Sequence, residues 1–188
     1  MKHTAIPTKK KPIRTINDDW KNLHSIAFSW TFTSLQAHQK NLATEITEYI
    51  NNFINLNADL KFRVRFCLQE AITNALLHGN LELPSMPGTL EGMDKFVAEL
   101  HARITRPEFA SKKIYINVII IENTTIVLDI GDEGNGFIKK DELPEKSFFG
   151  RGLRLVEQCA NNVFYAQDKR MLHIELKRFP EDQSHYEQ

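Results

Sequence analysis

The spacing of hydrophobic positions changes several times along the chain, and each change marks an element. Ile26, Phe28, Trp30 and Phe32 alternate with Ala27, Ser29 and Thr31. That is the period of a strand with one buried face, which predicts a first strand at about 24–33. Leu42, Ile46, Tyr49, Ile50 and Phe53 then recur at helical spacing, and Asn57, ahead of Ala58 and Asp59, offers a cap for a second helical run over 60–78. In that run Val64, Leu68, Ala71 and Ala75 form an apolar stripe. Glu70, Asn74 and His78, four residues apart, cluster on a different side of the cylinder. Gly79 is expected to stop this helix, and Pro84, Pro87 and Gly88 mark a loop.

Phe96, Leu100 and Ile104 predict a short helix before Pro107, within a segment, 81–112, that reads as an insertion without a chemical signature. Two apolar runs, Lys113–Ile121 and 125–130, are separated by Glu122-Asn123-Thr124 and suit an antiparallel hairpin. The second leads into Gly131-Asp132-Glu133-Gly134-Asn135-Gly136-Phe137. After a polar stretch to Phe149, Gly150-Arg151-Gly152 opens a helix carrying Leu153, Leu155, Val156 and Cys159. Runs at 162–167 and 171–177, joined by Asp168-Lys169-Arg170, read as a closing hairpin. Strand, two long helices, hairpin, helix, hairpin is the order of an α+β fold. We expect a two-layer sandwich whose mostly antiparallel sheet is covered on one face by helices.

Length and composition narrow the function classes. The 188 residues suit one domain, expected at 21–180, between a basic tail at 1–20 and a short C-terminal tail at 181–188. The 24 basic and 24 acidic side chains create no field of one sign, which argues against direct nucleic-acid binding. Cys67 and Cys159 are too few for a disulfide framework or a tetrahedral zinc site and fit a reducing compartment. They are expected to fill helix faces as small apolar residues. The N-terminus is basic but lacks a following apolar run, and no stretch approaches the ~20 apolar residues that span a bilayer. A cytoplasmic protein without a membrane segment is therefore expected. Lys2, Lys9, Lys10, Lys11 and Arg14, with no acid among the first 14 residues, form either a solvated tail or an arm for an acidic partner.

Three segments can carry chemistry. In Glu70-Ala-Ile-Thr-Asn74-Ala-Leu-Leu-His78-Gly-Asn80, a carboxylate and a carboxamide one helical turn apart can serve the same bound group. The carboxylate can accept a proton from a hydroxyl or water, and the carboxamide oxygen can ligate Mg²⁺. The same side chains also suit a solvent-facing polar edge, and a histidine near a helix C-terminus can simply complement the dipole. Asp132, at a strand end, can accept a hydrogen bond from an exocyclic amine, and the glycines after it leave room for a planar ring; a plain turn has the same pattern. Gly150-Arg151-Gly152-Leu153 at a helix start offers free N–H groups and a positive dipole end to phosphate, and Arg151 can add charge.

The joint occurrence of these segments, in this order, resembles the ATP-binding domain of the GHKL superfamily of gyrase, the MutL repair protein, the heat-shock chaperone ATPase and sensor histidine kinases. Within it the sequence is most similar to anti-sigma factor serine/threonine kinases of the RsbW type. Residues 70–80 resemble the N box, 132–137 the first glycine box and 150–153 the second, and the likeness covers about 24–178. It implies the Bergerat ATP-binding fold, with Glu70 as general base, Asn74 as the Mg²⁺ ligand and Asp132 on the adenine amino group. Gly134 and Gly136 would shape the pocket and hinge a lid, Gly150 and Gly152 would border the phosphates, and His78, Arg151 and Leu153 would complete the nucleotide site.

The function implied is that of a partner-switching kinase. Using ATP and Mg²⁺, it would phosphorylate a serine or threonine of a STAS-type antagonist and alternately sequester a sigma factor or other regulator, as a homodimer. The alternatives are a nucleotide-dependent binding module of the same fold without turnover, or a histidine-kinase-like ATPase domain. A stand-alone sensor kinase core fits less well, because no upstream helix pair carrying an acceptor histidine is apparent and His38 reads as a lone surface residue. The Walker and protein-kinase motifs are absent from the sequence.

Overall fold

The computed structural model describes residues 24–134, 151–166 and 171–178, without the side chain of Arg151. The expected tails, Gly136, Phe137, Gly150 and the turn at 168–170 lie outside the described residues. Strand β1 spans Ser25–Thr33 and is followed by helices α1 (Ser34–Gln39), α2 (Leu42–Ile54) and α3 (Ala58–Asn74). A π-helical segment, Ala75–Asn80, continues α3 without a break. Helices α4 (Leu90–Ile104) and α5 (Pro107–Ala110) precede strands β2 (Lys113–Ile121) and β3 (Thr125–Asp132). Helix α6 (Arg151–Cys159) and strands β4 (Asn162–Tyr165) and β5 (Met171–Lys177) complete the order. The strands form one sheet in the order β1-β2-β3-β5-β4, every neighbouring pair antiparallel.

The α+β sandwich expected from the sequence is the fold observed. Alternation decides which face of the sheet is buried: Ile114, Ile116, Val118 and Ile120 of β2, Ile126, Leu128 and Ile130 of β3, and Leu172, Ile174 and Leu176 of β5 all point into the core. Against them pack Ile46 and Ile50 of α2 and Leu60, Val64, Leu68 and Ala71 of α3. Asn57 caps α3 as its position suggests, its Oδ1 accepting the Leu60 N–H at 2.9 Å. Among the described residues no helix is long and apolar enough to cross a membrane.

Three details differ from the sequence reading. A separate helix, α1, follows β1, closed by a capping box between Thr33 and Gln36. The helix before Pro107 is fifteen residues long, and Pro107 opens a further short helix instead of merely ending one. Gly79 does not stop the long helix. The backbone there widens to a π-helix ending at Asn80, with the Leu81 N–H reaching back to the Leu76 carbonyl at 2.9 Å.

The side chain at that end, Asn80, is completely buried. Its Nδ2 donates to Ser34 Oγ at 3.0 Å and to the Lys113 carbonyl at 3.1 Å, and its Oδ1 accepts the Glu133 N–H at 2.9 Å. One carboxamide therefore joins the start of α1, the start of β2 and the end of β3 to the end of the long helix. Asn80→Ala would leave a buried N–H and carbonyl without partners, and such groups cost about 1–3 kcal/mol each. Urea unfolding of this variant is expected to show a loss of roughly 3 kcal/mol or more; a loss below ~1 kcal/mol would show that water replaces the carboxamide.

Candidate functional site

Glu70 and Asn74 occupy the last turn and a half of α3, both half-buried. They lie before the π-helical widening, so the one-turn spacing read from the sequence holds for this pair. Asn74 makes no hydrogen bond with any described residue through its carboxamide, whose oxygen stays available for a ligand. His78 lies within the widened segment, and its Nδ1 donates to the Leu83 carbonyl of the following loop at 2.8 Å. The edge shared by Glu70 and Asn74 thus does not continue regularly to His78.

Helix α6 fixes the environment of Glu70. Near the start of α3, the buried Arg63 donates to Cys159 O at 3.3 Å, to Lys177 O at 2.8 Å and to Asp59 Oδ2 at 2.7 Å. Near its end, the bare α-carbon of Gly152 lies so close to Glu70 that an added Cβ would fall on Oε2. The C-terminus of α6 therefore meets the beginning of α3 and its N-terminus meets the end. The two helices run antiparallel with the glutamate at the N-terminal end of α6. Burial raises the Glu70 pKa above the usual carboxylate range. Between these contacts the Cys67 thiol is pushed up to about 12, first by burial and then by the neighbouring Cys159. Both cysteines are free, and Cys67 is a core residue as expected.

Asp132 ends β3 with only 6% of its surface exposed, its Oδ1 accepting the Gly134 N–H at 2.8 Å. A Cβ on Gly79 would collide with the Asp132 carboxylate, and one on Gly134 with the backbone of Gly79. At Gly134 the missing side chain serves backbone approach between two motifs. The intervening Glu133 accepts from the Tyr115 hydroxyl and the Lys113 N–H, each at 2.8 Å. Those bonds, Tyr115 first, hold its carboxyl below the usual range. Burial, and then the charges of Glu157 and Asp132, push up the Tyr165 hydroxyl, which puts that ring in the field of the same carboxylate.

The structure thus brings Glu70, Gly152, Gly79, Asp132 and Gly134 into two linked contacts, one at each end of the segment from Glu70 to Asn80. Leu153 is half-buried and packs against the core, and Arg151 is the first residue of α6. Asn80, Glu133, Tyr115 and Arg63 carry much of the geometry. Of these Asn80 and Glu133 stood inside recognisable motifs, without a sign of what they would bond to, and polar residues that serve the backbone leave no periodic signal.

This convergence accords with a comparison against protein families. Residues 32–177 match the model of the histidine kinase-like ATPase domain. The chain belongs to that family. It is an ATP-binding domain of the GHKL type, and the match contains all three motifs that meet in the structure. Comparison with curated proteins gives no match.

The contact at Gly79 can be tested by its sign. In a helix Gly→Ala ordinarily stabilises by about 1 kcal/mol. Gly79→Ala is expected to destabilise instead, because the new methyl must displace a buried carboxylate. A raised midpoint in urea would contradict the close approach of Gly79 and Asp132.

Proposed function

We propose that this domain is a partner-switching serine/threonine protein kinase, using ATP with Mg²⁺ to phosphorylate a hydroxyl on a STAS-domain antagonist and, in its alternate state, sequestering a sigma factor or other regulator. The observation that carries the proposal is the half-buried carboxylate of Glu70 at the N-terminal end of α6. Family membership supplies the ATP; this carboxylate supplies a base in the region where a helix start favours phosphate.

In the proposed reaction a serine or threonine oxygen attacks the γ-phosphorus, the bond to the β–γ bridging oxygen breaks, ADP leaves, and the hydroxyl proton passes to a Glu70 oxygen. Burial makes that oxygen a stronger base than an exposed glutamate's, because the ionised form is disfavoured relative to the protonated one. The Asp132 carboxylate, held rigidly at the strand end, accepts from the adenine amino group. The first N–H groups of α6, at Arg151 and Gly152, face the phosphates, with His78 and Leu153 bordering the site.

The described residues hold no cluster of three or more His, Cys, Asp or Glu side chains suited to a metal. A single carboxamide ligand, Asn74, fits Mg²⁺ nonetheless, since that ion keeps several waters and takes most of its remaining ligands from substrate phosphates. When bound, the ion would neutralise phosphate charge.

Glu70→Gln is expected to keep nucleotide binding and to lower phosphoryl transfer to a STAS protein at least ~10²-fold, read by radiolabel transfer. In the parent protein the rate should fall as pH drops through the raised Glu70 pKa, a limb missing from the variant. Stability has the opposite sign: a raised folded-state pKa stabilises only while the group is protonated. Glu70→Gln should therefore melt no lower than the parent at neutral pH, with the difference closing below the ordinary carboxylate range. Equal transfer rates would remove Glu70 as the base; nucleotide binding with no transfer by the parent protein would select the binding-module alternative.

Asn74→Ala is expected to abolish the dependence of ATP affinity on Mg²⁺ while leaving metal-free binding little changed. Calorimetry with and without the ion reads both; an unchanged metal dependence would assign the ion elsewhere.

A further inference from the structure

The inserted segment 81–112 carries a clamp on the nucleotide motif. Immediately after the π-helix, Leu81 and Leu83 turn into the core, both almost fully buried, while Glu82 between them adopts a left-handed backbone with φ of 54°. For a non-glycine residue that conformation costs of order 1–2 kcal/mol. It persists because all three carbonyls are held. Arg103 Nη1, from the last turn of α4, donates to Leu81 O at 2.6 Å and Glu82 O at 2.8 Å. His78 Nδ1 donates to Leu83 O. The guanidinium is itself fixed, with Nε on Glu99 Oε1 at 2.7 Å and its carbon 5.6 Å from the Phe109 ring centre. Lys112, over the same ring, pairs with Glu82 at 2.8 Å.

The clamped residues directly follow Gly79 and Asn80, whose contacts place Asp132, Glu133 and Gly134. We propose that Arg103 is a positioning residue for the adenine end of the nucleotide site, acting through the Leu81 and Glu82 carbonyls on Asn80 and Gly79 and through them on Asp132. The insertion is then part of the binding apparatus, although no residue of it need touch the nucleotide. The effect on nucleotide rests on the adenine role proposed for Asp132; the effect on the turn does not.

The test uses the full chain with Arg103→Ala and Arg103→Lys, the second retaining a donor and the core stem should the first fail to fold. Hydrogen exchange without nucleotide is expected to quicken at least ~10-fold at the Glu133 and Gly134 amides, thirty residues from the substitution, while Val118 and Leu128 at the sheet centre keep their rates. Uniform acceleration, or none, would overturn the inference, since a merely structural loss spares no region. Calorimetry with ADP and GDP is expected to show ADP affinity falling at least ~10-fold in Arg103→Ala, preference for ADP shrinking, and Arg103→Lys between. Unchanged affinity and preference beside altered exchange would overturn the link to nucleotide. If the parent protein binds no ADP while exchange changes as expected, the adenine role fails and the positioning of the turn stands.

Discussion

The site depends on Asn80 remaining fully hydrogen-bonded in a place water does not reach. A buried carboxamide is costly unless its donors and acceptor are matched. Here the partners come from three parts of the fold distant in sequence: Ser34, Lys113 and Glu133. The match can be made only when α1, the end of the long helix and both central strands stand in their native arrangement. The polar group thereby specifies one register among the packings that apolar contact alone would permit. Gly79, one residue earlier, can then approach Asp132, and Gly134 can approach Gly79.

At the other end of the motif a different force operates. Glu70 is placed by the packing of α6 on α3, anchored at the far end by Arg63 and filled between by Cys67. The same packing that positions the carboxylate removes part of its water and raises its pKa. Position and basicity thus have one cause, and a loosening of α6 would return both toward those of an ordinary surface glutamate. Gly152 sets how closely the helix can approach.

Much of this was legible in the sequence, and the reason differs by element. The strands announced themselves because one face of each is buried, so Ile114, Ile116 and Val118 alternate with more polar partners. The apolar stripe of α3 was equally plain. The π-helix was not, since a widened turn alters backbone pairing without altering the residues' period enough to notice. Gly79 looked like a stop because glycine usually ends helices; in this fold its lack of a side chain is used laterally, against Asp132. Asn80 and Glu133 were visible as motif positions, but their partners are 46, 33 and 20 residues away, beyond any local pattern. The insertion appeared chemically silent because Arg103 serves two carbonyls, and carbonyls are the same at every residue.

These two modes of support make the halves of the site physically separable. The Asp132 end is held by directional bonds to buried groups, which break steeply when distances change by a few tenths of an ångström. The Glu70 end is held largely by helix packing, which tolerates small shifts of a helix as a body. With the roles proposed for Glu70 and Asp132, a perturbation of α6 would move the base relative to a nucleotide whose adenine end stays anchored, altering transfer before binding. The Asn80 network works the other way: it holds the long helix only at its last residue, so disturbing it bears first on Asp132, while the Glu70–Gly152 contact lies ten residues upstream and is made with α6. On the same proposal, occupancy of the site and turnover at it would respond to different parts of the surface: the face around α4 and α5 for the first, the outer side of α6 for the second.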